Sequence, residues 1–248
     1  MQITERQKEI LNRIVGTYIE SAEPVSSEFL EKKYKFSICP ATIRIEMQKL
    51  AENGFIFQPH TSAGRVPTDK GYRLFVNDLF EKEFLKDGQD SEAEDWLEEE
   101  ITDSIKFLQS VTRKLSLISS NLVLGYSASS KILWKDGWEG IIKEPEFEEK
   151  NIVDDFVEMI RNFEKEIEGL EISSPIEVYI GKESPFSKAK EFSIIIGKCR
   201  LPEPQPRVEE NGILAILGPK RMDYDKNIGS LNSLLKFLGT EAGAAKRR

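Results

Sequence analysis

The spacing of apolar residues divides the chain into a helical head and a mixed body. In the head, Ile10, Leu11, Ile14, Val15, Tyr18 and Ile19 recur at helical spacing and predict a first helix. Thr4 and Gln7 form a capping box at its start, and Glu23-Pro24 stops it. Ser26 or Ser27 can cap a second helix bearing Phe29, Leu30 and Tyr34, and the short run 35–38 leads to a third, as a helix-turn-helix requires. Pro40 suits the first turn of that third helix. Ile43, Met47 and Leu50 give it one buried stripe, while Ala41, Ile45 and Gln48 lie opposite, flanked by Thr42, Arg44 and Lys49. Asn53-Gly54 then turns the chain into two brief strands around Phe55-Ile56-Phe57 and Val66. The loop between them holds His60, Thr61, Ser62, Gly64 and Arg65. With a fourth helix from Asp69, capped by Thr68 and carrying Leu74, Phe75, Leu79 and Phe80, the order predicts a winged helix-turn-helix over residues 1–80.

Beyond the head the pattern changes twice. Residues 81–100 hold ten Asp/Glu against two Lys, the composition of a solvated linker or helix surface. Residues 97–122 then show a seven-residue repeat, with Ile101, Leu108, Leu115 and Leu122 in one row and Leu97, Val111 and Ile118 in the other. Such a seam can join two subunits, or it can be the inner face of a helix lying on its own domain. A winged head that reads a palindrome works in pairs, which favours Ile101, Leu108, Val111, Leu115 and Ile118 as dimerisation residues. The remainder alternates strands (121–126, 131–134, 140–143, 176–180, 192–199 and 213–217) with helices (148–168 and 224–238). The expected fold class is α+β: a winged head (1–80), a linker with an amphipathic helix (81–120) and a sheet covered by a few helices (121–248).

Charge sharpens this division. The net charge of −8 conceals 11 Lys/Arg against 10 Asp/Glu in residues 1–80 and 24 against 33 in the rest. Local charge at a docking face attracts phosphates, and an acidic body several screening lengths away does not cancel it. Two cysteines 160 positions apart imply neither a disulfide framework nor a zinc site. Nothing at the start resembles a signal peptide and no apolar run approaches the ~20 residues of a membrane span, so a cytoplasmic protein is expected.

The third helix would enter a major groove, where Arg can read guanine and Gln adenine by paired hydrogen bonds. Any amphipathic surface helix also shows Arg, Gln and Lys outward, so the loop matters: Thr42, Arg44, Gln48 and Lys49 would face DNA from the helix, and His60, Thr61, Ser62 and Arg65 from the wing. Catalysis finds no support, since GxSxG, GxxxxGK[ST], HExxH and GxGxxG after a strand are all missing and His60 is the only histidine. No cofactor or metal is expected.

The runs TERQKEIL, YIESAEPVSS, PATIR-EM and QPHTSAGRVPTDKGYR closely resemble the head of the heat-inducible transcription repressor HrcA family. EPEF at 144–147, VYIGKE at 178–183 and GPKRMDY at 218–224 resemble its C-terminal, GAF-like domain. The family's inserted dimerisation domain has no counterpart in the short interval 81–143, which leaves dimerisation to the 97–122 helix. Cys39 stands where the family usually has serine and Ile45 where it usually has asparagine, which leaves open whether the operator read is the family's inverted repeat. The resemblance implies a homodimeric repressor on an inverted repeat in double-stranded DNA upstream of chaperone operons, its activity dependent on the chaperonin GroEL. The GPKRMDY run allows a structural reading, with Arg221 and Asp223 paired locally, or an effector-docking one. Two rivals stand beside the repressor: a ligand-sensing winged-helix regulator not tied to heat shock, and a head that mediates protein contacts without DNA.

Overall fold

The computed structural model describes residues 3–34, 36, 38–83, 103–201 and 210–239, which fall in two compact units, 1–85 and 86–248. In the first, α1 (Glu5–Ser21), α2 (Ser27–Tyr34) and α3 (Pro40–Glu52) precede a two-stranded antiparallel hairpin of β1 (Ile56–Phe57) and β2 (Val66–Pro67), followed by α4 (Asp69–Glu83). The expected capping box is present: Gln7 N–H donates to Thr4 Oγ1 and Thr4 N–H to Gln7 Oε1. Ala22 ends α1 in the left-handed region, with its N–H on the Tyr18 carbonyl. Of the two candidate caps for α2 it is Ser26 that acts, accepting from Phe29 N–H at 3.1 Å. Ile10, Leu11, Ile14, Leu30, Ile43 and Leu50 are fully buried together with Tyr72 and Val76 of α4. The inner face of α4 is therefore set by Tyr72 and Val76, and Leu74, Phe75, Leu79 and Phe80 are only half-buried.

Polar bonds tie these helices together at their edges. Glu46 of α3 accepts from Gln7 at 2.8 Å and pairs with Lys49 at 3.2 Å. Asp78 of α4 accepts from Asn12 and pairs with Lys8 and Lys82. Burial pushes both carboxyls up, but these hydrogen bonds and cations outweigh it and hold them below their usual range.

The second unit is a five-stranded antiparallel sheet with helices on both faces. After α5 (Ser104–Ser119) come β3 (Leu122–Ser127), β4 (Ile132–Asp136), α6 (Trp138–Ile141), α7 (Lys150–Glu166), β5 (Ile176–Ile180), β6 (Phe192–Leu201), β7 (Glu210–Pro219) and α8 (Tyr224–Gly239), with sheet order β4-β3-β7-β6-β5. Helices α5 and α8 pack on one face; on the other, α7 closes over a core of Phe156, Phe163, Phe186 and Phe192. Ile194, Ile195 and Ile196 are all buried because β6 is covered on both sides, which is why it reads as an unbroken apolar run. The edge strand β4 carries Lys135 and Asp136, charges that discourage edge-to-edge association.

Two expectations change here. Residues 140–143 are not a strand; Gly137, at φ 102°, opens the short helix α6 instead, and a Cβ there would stand 2.1 Å from the Asn121 carbonyl. The heptad residues Leu108, Val111 and Leu115 are buried against β3 and β4 of their own sheet, so they cannot also form a seam between subunits. Ile118 is half-buried on the same helix, and Ile101 lies outside the described residues, as do Leu97 and most of the acidic run. Within Ser104–Ser119 the seven-residue repeat is thus the inner face of an amphipathic helix lying on its own domain.

Candidate nucleic-acid interface

On α3 successive residues turn by roughly 100°. Ala41, Ile45 and Gln48 consequently form the centre of the outward face, with Arg44 on one flank and Thr42 and Lys49 on the other. Ile45 is 53% exposed, an unusual position for an isoleucine. Gln48 is held by a 3.0 Å bond to Glu52 one turn on, which orients its amide outward along the helix. Cys39 has the extended backbone of an N-cap but makes no side-chain cap bond; its thiol lies 3.2 Å from the Thr42 hydroxyl. That hydroxyl contact and the backbone N–H groups of the first turn draw the thiol below its usual range.

The wing is rigid by construction. Gln58 donates through Nε2 to the carbonyls of Thr61 and Ala63, which fixes the curvature of the loop. Val25, between α1 and α2, exchanges both backbone hydrogen bonds with Arg65 at 2.9 and 2.8 Å, pinning the wing to the head. Gly64 permits this approach: a Cβ there would lie 2.5 Å from the Pro24 carbonyl oxygen. Thr68 Oγ1 accepts from Gly71 N–H, and a Cβ at Gly71 would stand 2.2 Å from the Phe55 carbonyl. Internal packing and bonding therefore account for Gln58, Gly64, Val66, Thr68, Gly71 and Tyr72, whereas His60, Thr61 and Ser62 sit exposed at the tip.

Between wing, α3 and the start of α2 lies a cleft of about 340 Å³, to which Arg44, Arg65, Thr61 and Ser62 all contribute. Arg44 reaches across to Glu28 at 2.5 Å, and Arg65 Nε is buried with no hydrogen-bond partner among the described residues. The fold thus brings four of the eight predicted residues to one place. Gln48 faces outward beside it, Lys49 is drawn off to Glu46 on the far flank, Thr42 is half-buried, and His60 stands outside the cleft lining. Sequence reasoning passed over Glu28 and Gln58 and considered Ser27 only as a helix cap. Ser27 and Glu28 open α2 beside the wing, and their only signal was the Ser-Ser-Glu start of that helix.

In the second unit Arg221 does not pair with Asp223. It forms a two-point bond to Glu146, at 2.7 and 3.0 Å, and also bonds Glu144, while Asp223 caps α8 by accepting from Lys226 N–H. Among the described residues no group of three or more His, Cys, Asp or Glu is placed to hold a metal ion, and no helix is long and apolar enough to cross a membrane.

Comparison with known proteins agrees with this architecture. A crystal structure described only as that of a hypothetical protein superposes with a TM-score of 0.83 at 20% identity, covering 99% of this chain and 100% of that one. The chain is 46% identical over 122 residues to the heat-inducible transcription repressor HrcA of Desulfitobacterium hafniense, a match covering 49% of this chain and 34% of that protein. It is 53% identical over 83 residues to the repressor of the same name from Alkaliphilus metalliredigens, covering 34% of this chain and 24% of that one. The aligned segments thus span only about a third and a quarter of these curated relatives' own length. The family model for the HrcA protein C-terminal domain matches residues 70–228, more than half of the sequence, and on that match the chain belongs to the HrcA family.

Proposed function

We propose that this chain is a transcription repressor of heat-shock genes that binds an inverted repeat in double-stranded DNA as a homodimer. Each head would lay α3 in the major groove of one half-site, Gln48 and Ile45 toward the base edges and the wing toward the flanking backbone. The observation that carries this reading is the wing itself: a loop held by Gln58, Gly64 and the Val25–Arg65 bridge that presents three exposed residues, His60, Thr61 and Ser62, at its tip. The exposed Ile45 fits the same reading, since an isoleucine can pack on a thymine methyl where an asparagine would bond adenine. The relatives carry the name heat-inducible transcription repressor, and the heat response is proposed here on that likeness, together with dependence on the chaperonin GroEL.

The test is binding of the purified protein to DNA upstream of its own chaperonin operon and to scrambled DNA, at two salt concentrations. Tight binding that persists in salt on the operon DNA alone is the expected result. Equal, salt-labile binding to both DNAs would reject a sequence-specific repressor, because phosphate contacts alone carry no sequence information.

A further inference from the structure

We infer that the cleft between wing, α3 and α2 is the seat of one DNA backbone phosphate, and that Glu28 holds Arg44 there as an intramolecular stand-in for it. This rests on the DNA-binding reading and refines it, moving Arg44 from base reading to backbone clamping. The first ground is position. Arg44 lies roughly 60° around α3 from the centre of its outward face, on the side of Met47, and both line the cleft rather than the exposed ridge of Ala41, Ile45 and Gln48. The second is chemistry. Two arginines line one cleft of about 340 Å³, Arg44 from the helix and Arg65 from the wing, with Thr61 and Ser62 beside them. Guanidinium forks match phosphate oxygens in pairs, and the N-terminus of the eight-residue α2 opens on the same space.

The third ground is what the two arginines do in the free protein. Arg65 Nε is buried with no hydrogen-bond partner among the described residues, an unused donor on a residue that lines the cleft. Arg44 spends one donor on Glu28 at 2.5 Å, in a pair exposed on both sides (71% and 56%). An exposed pair of this kind is weak, so an incoming phosphate exchanges with the carboxylate at little cost. Glu28 still repels the phosphate it yields to, and it therefore lowers affinity for DNA of every sequence.

The experiment is a set of binding isotherms against salt for wild type, Glu28→Gln, Arg44→Ala and Arg44→Lys, on operon and scrambled DNA. Both residues are exposed, so the variants keep the fold, and a thermal melt of each checks this. Arg44→Ala is expected to lower affinity for both DNAs by the same factor, about tenfold, and to reduce the salt slope by about one, with Arg44→Lys restoring most of both. Glu28→Gln is expected to raise affinity for both DNAs by about three- to fivefold in low salt, the gain fading as salt rises. Arg44→Ala weakening the operon DNA alone, or Glu28→Gln leaving affinity unchanged or lower, overturns the phosphate seat while leaving the repressor reading intact. A wild type that binds no DNA overturns both. Exchange of chloride for inorganic phosphate at constant ionic strength should leave DNA affinity unchanged; inhibition that disappears in Arg44→Ala would assign the cleft to a free anion instead.

Discussion

Replacing Leu108 by alanine distinguishes a helix that builds its own domain from one that joins two subunits. Leu108 is 1% exposed, and a Cβ at Gly125 would come within 3.0 Å of its Cδ2 atom, so α5 rests directly on β3. Truncation loses about 2 kcal/mol of transfer free energy and adds about 1 kcal/mol for the part of the cavity that does not close, or ~3 kcal/mol in all. With a urea slope of about 2 kcal/mol/M, that is a fall of about 1.5 M in the midpoint. The chain provides its own probe: Trp96, Trp134 and Trp138 all lie in the second unit and the head has no tryptophan, so indole emission follows this unit alone. Leu117, 73% exposed on the outer side of the same helix, serves as the control and should change stability by no more than about 0.5 kcal/mol when cut to alanine. The reasoning is refuted if Leu108→Ala leaves the midpoint in place while sedimentation shows a dimer falling to monomers.

Three further outcomes test the head. Cys39→Ser gives α3 a hydroxyl cap where the thiol makes none, and should stabilise the head by about 0.5–1 kcal/mol; a lower melting temperature in the circular dichroism of α-helix would contradict it. Gly64→Ala drives a Cβ to 2.5 Å from the Pro24 carbonyl and should cost about 2 kcal/mol, with the Val25 amide losing its protection from hydrogen exchange; unchanged protection would sink the claim that this glycine admits the wing. Acid should weaken the head through Asp78 and Glu46. Their folded values lie below the ordinary 3.8 and 4.5, so their contribution is complete above those values and is lost as pH falls through the lower, folded ones. Head amide protection should therefore hold from neutrality to about pH 5 and decline below about pH 4, less steeply in Asp78→Asn; identical profiles for variant and wild type would rule these carboxylates out.

What the sequence displayed and what it concealed follow from the range of the forces involved. Local signals were legible: the Thr4–Gln7 box, Pro40 at the start of α3, the stripe of Ile43, Met47 and Leu50, and the run at 176–180 all appear where spacing put them. Residues 140–143 misled because Ile141 and Ile142 have strand-like composition, whereas Gly137 at positive φ starts a helical turn whose Ile141 plugs the core. The heptads misled for a different reason. A seam facing another subunit and a stripe facing one's own sheet obey the same periodicity, and only the partner distinguishes them. The cleft was half visible. Arg44, Thr61, Ser62 and Arg65 could be named, but Glu28 comes to Arg44 from 16 positions away, a pairing that spacing cannot announce.

The same distinction between what a fold consumes and what it leaves over bears on the second conspicuous motif, GPKRMDY. A Cβ at Gly218 would collide with the Asn121 side chain at 1.9 Å, and Met222 and Tyr224 are buried. Tyr224 donates to the Lys220 carbonyl and shares a hydrogen bond with Ser193, and Asp223 caps α8. Arg221 reaches Glu144 and Glu146, so the EPEF run and the GPKRMDY run are the two halves of one clamp, joined across 75 positions. Each of these residues has an internal task that accounts for its chemistry, and an effector is not needed to explain any of them. The wing divides otherwise. Its glycines, Gln58 and Thr68 are spent on holding the loop, and His60, Thr61 and Ser62 remain, exposed beside two arginines that face one cleft. Exposed side chains held out on a loop that its neighbours make rigid are a place to seek a binding partner, and among the described residues of the head the wing tip presents them.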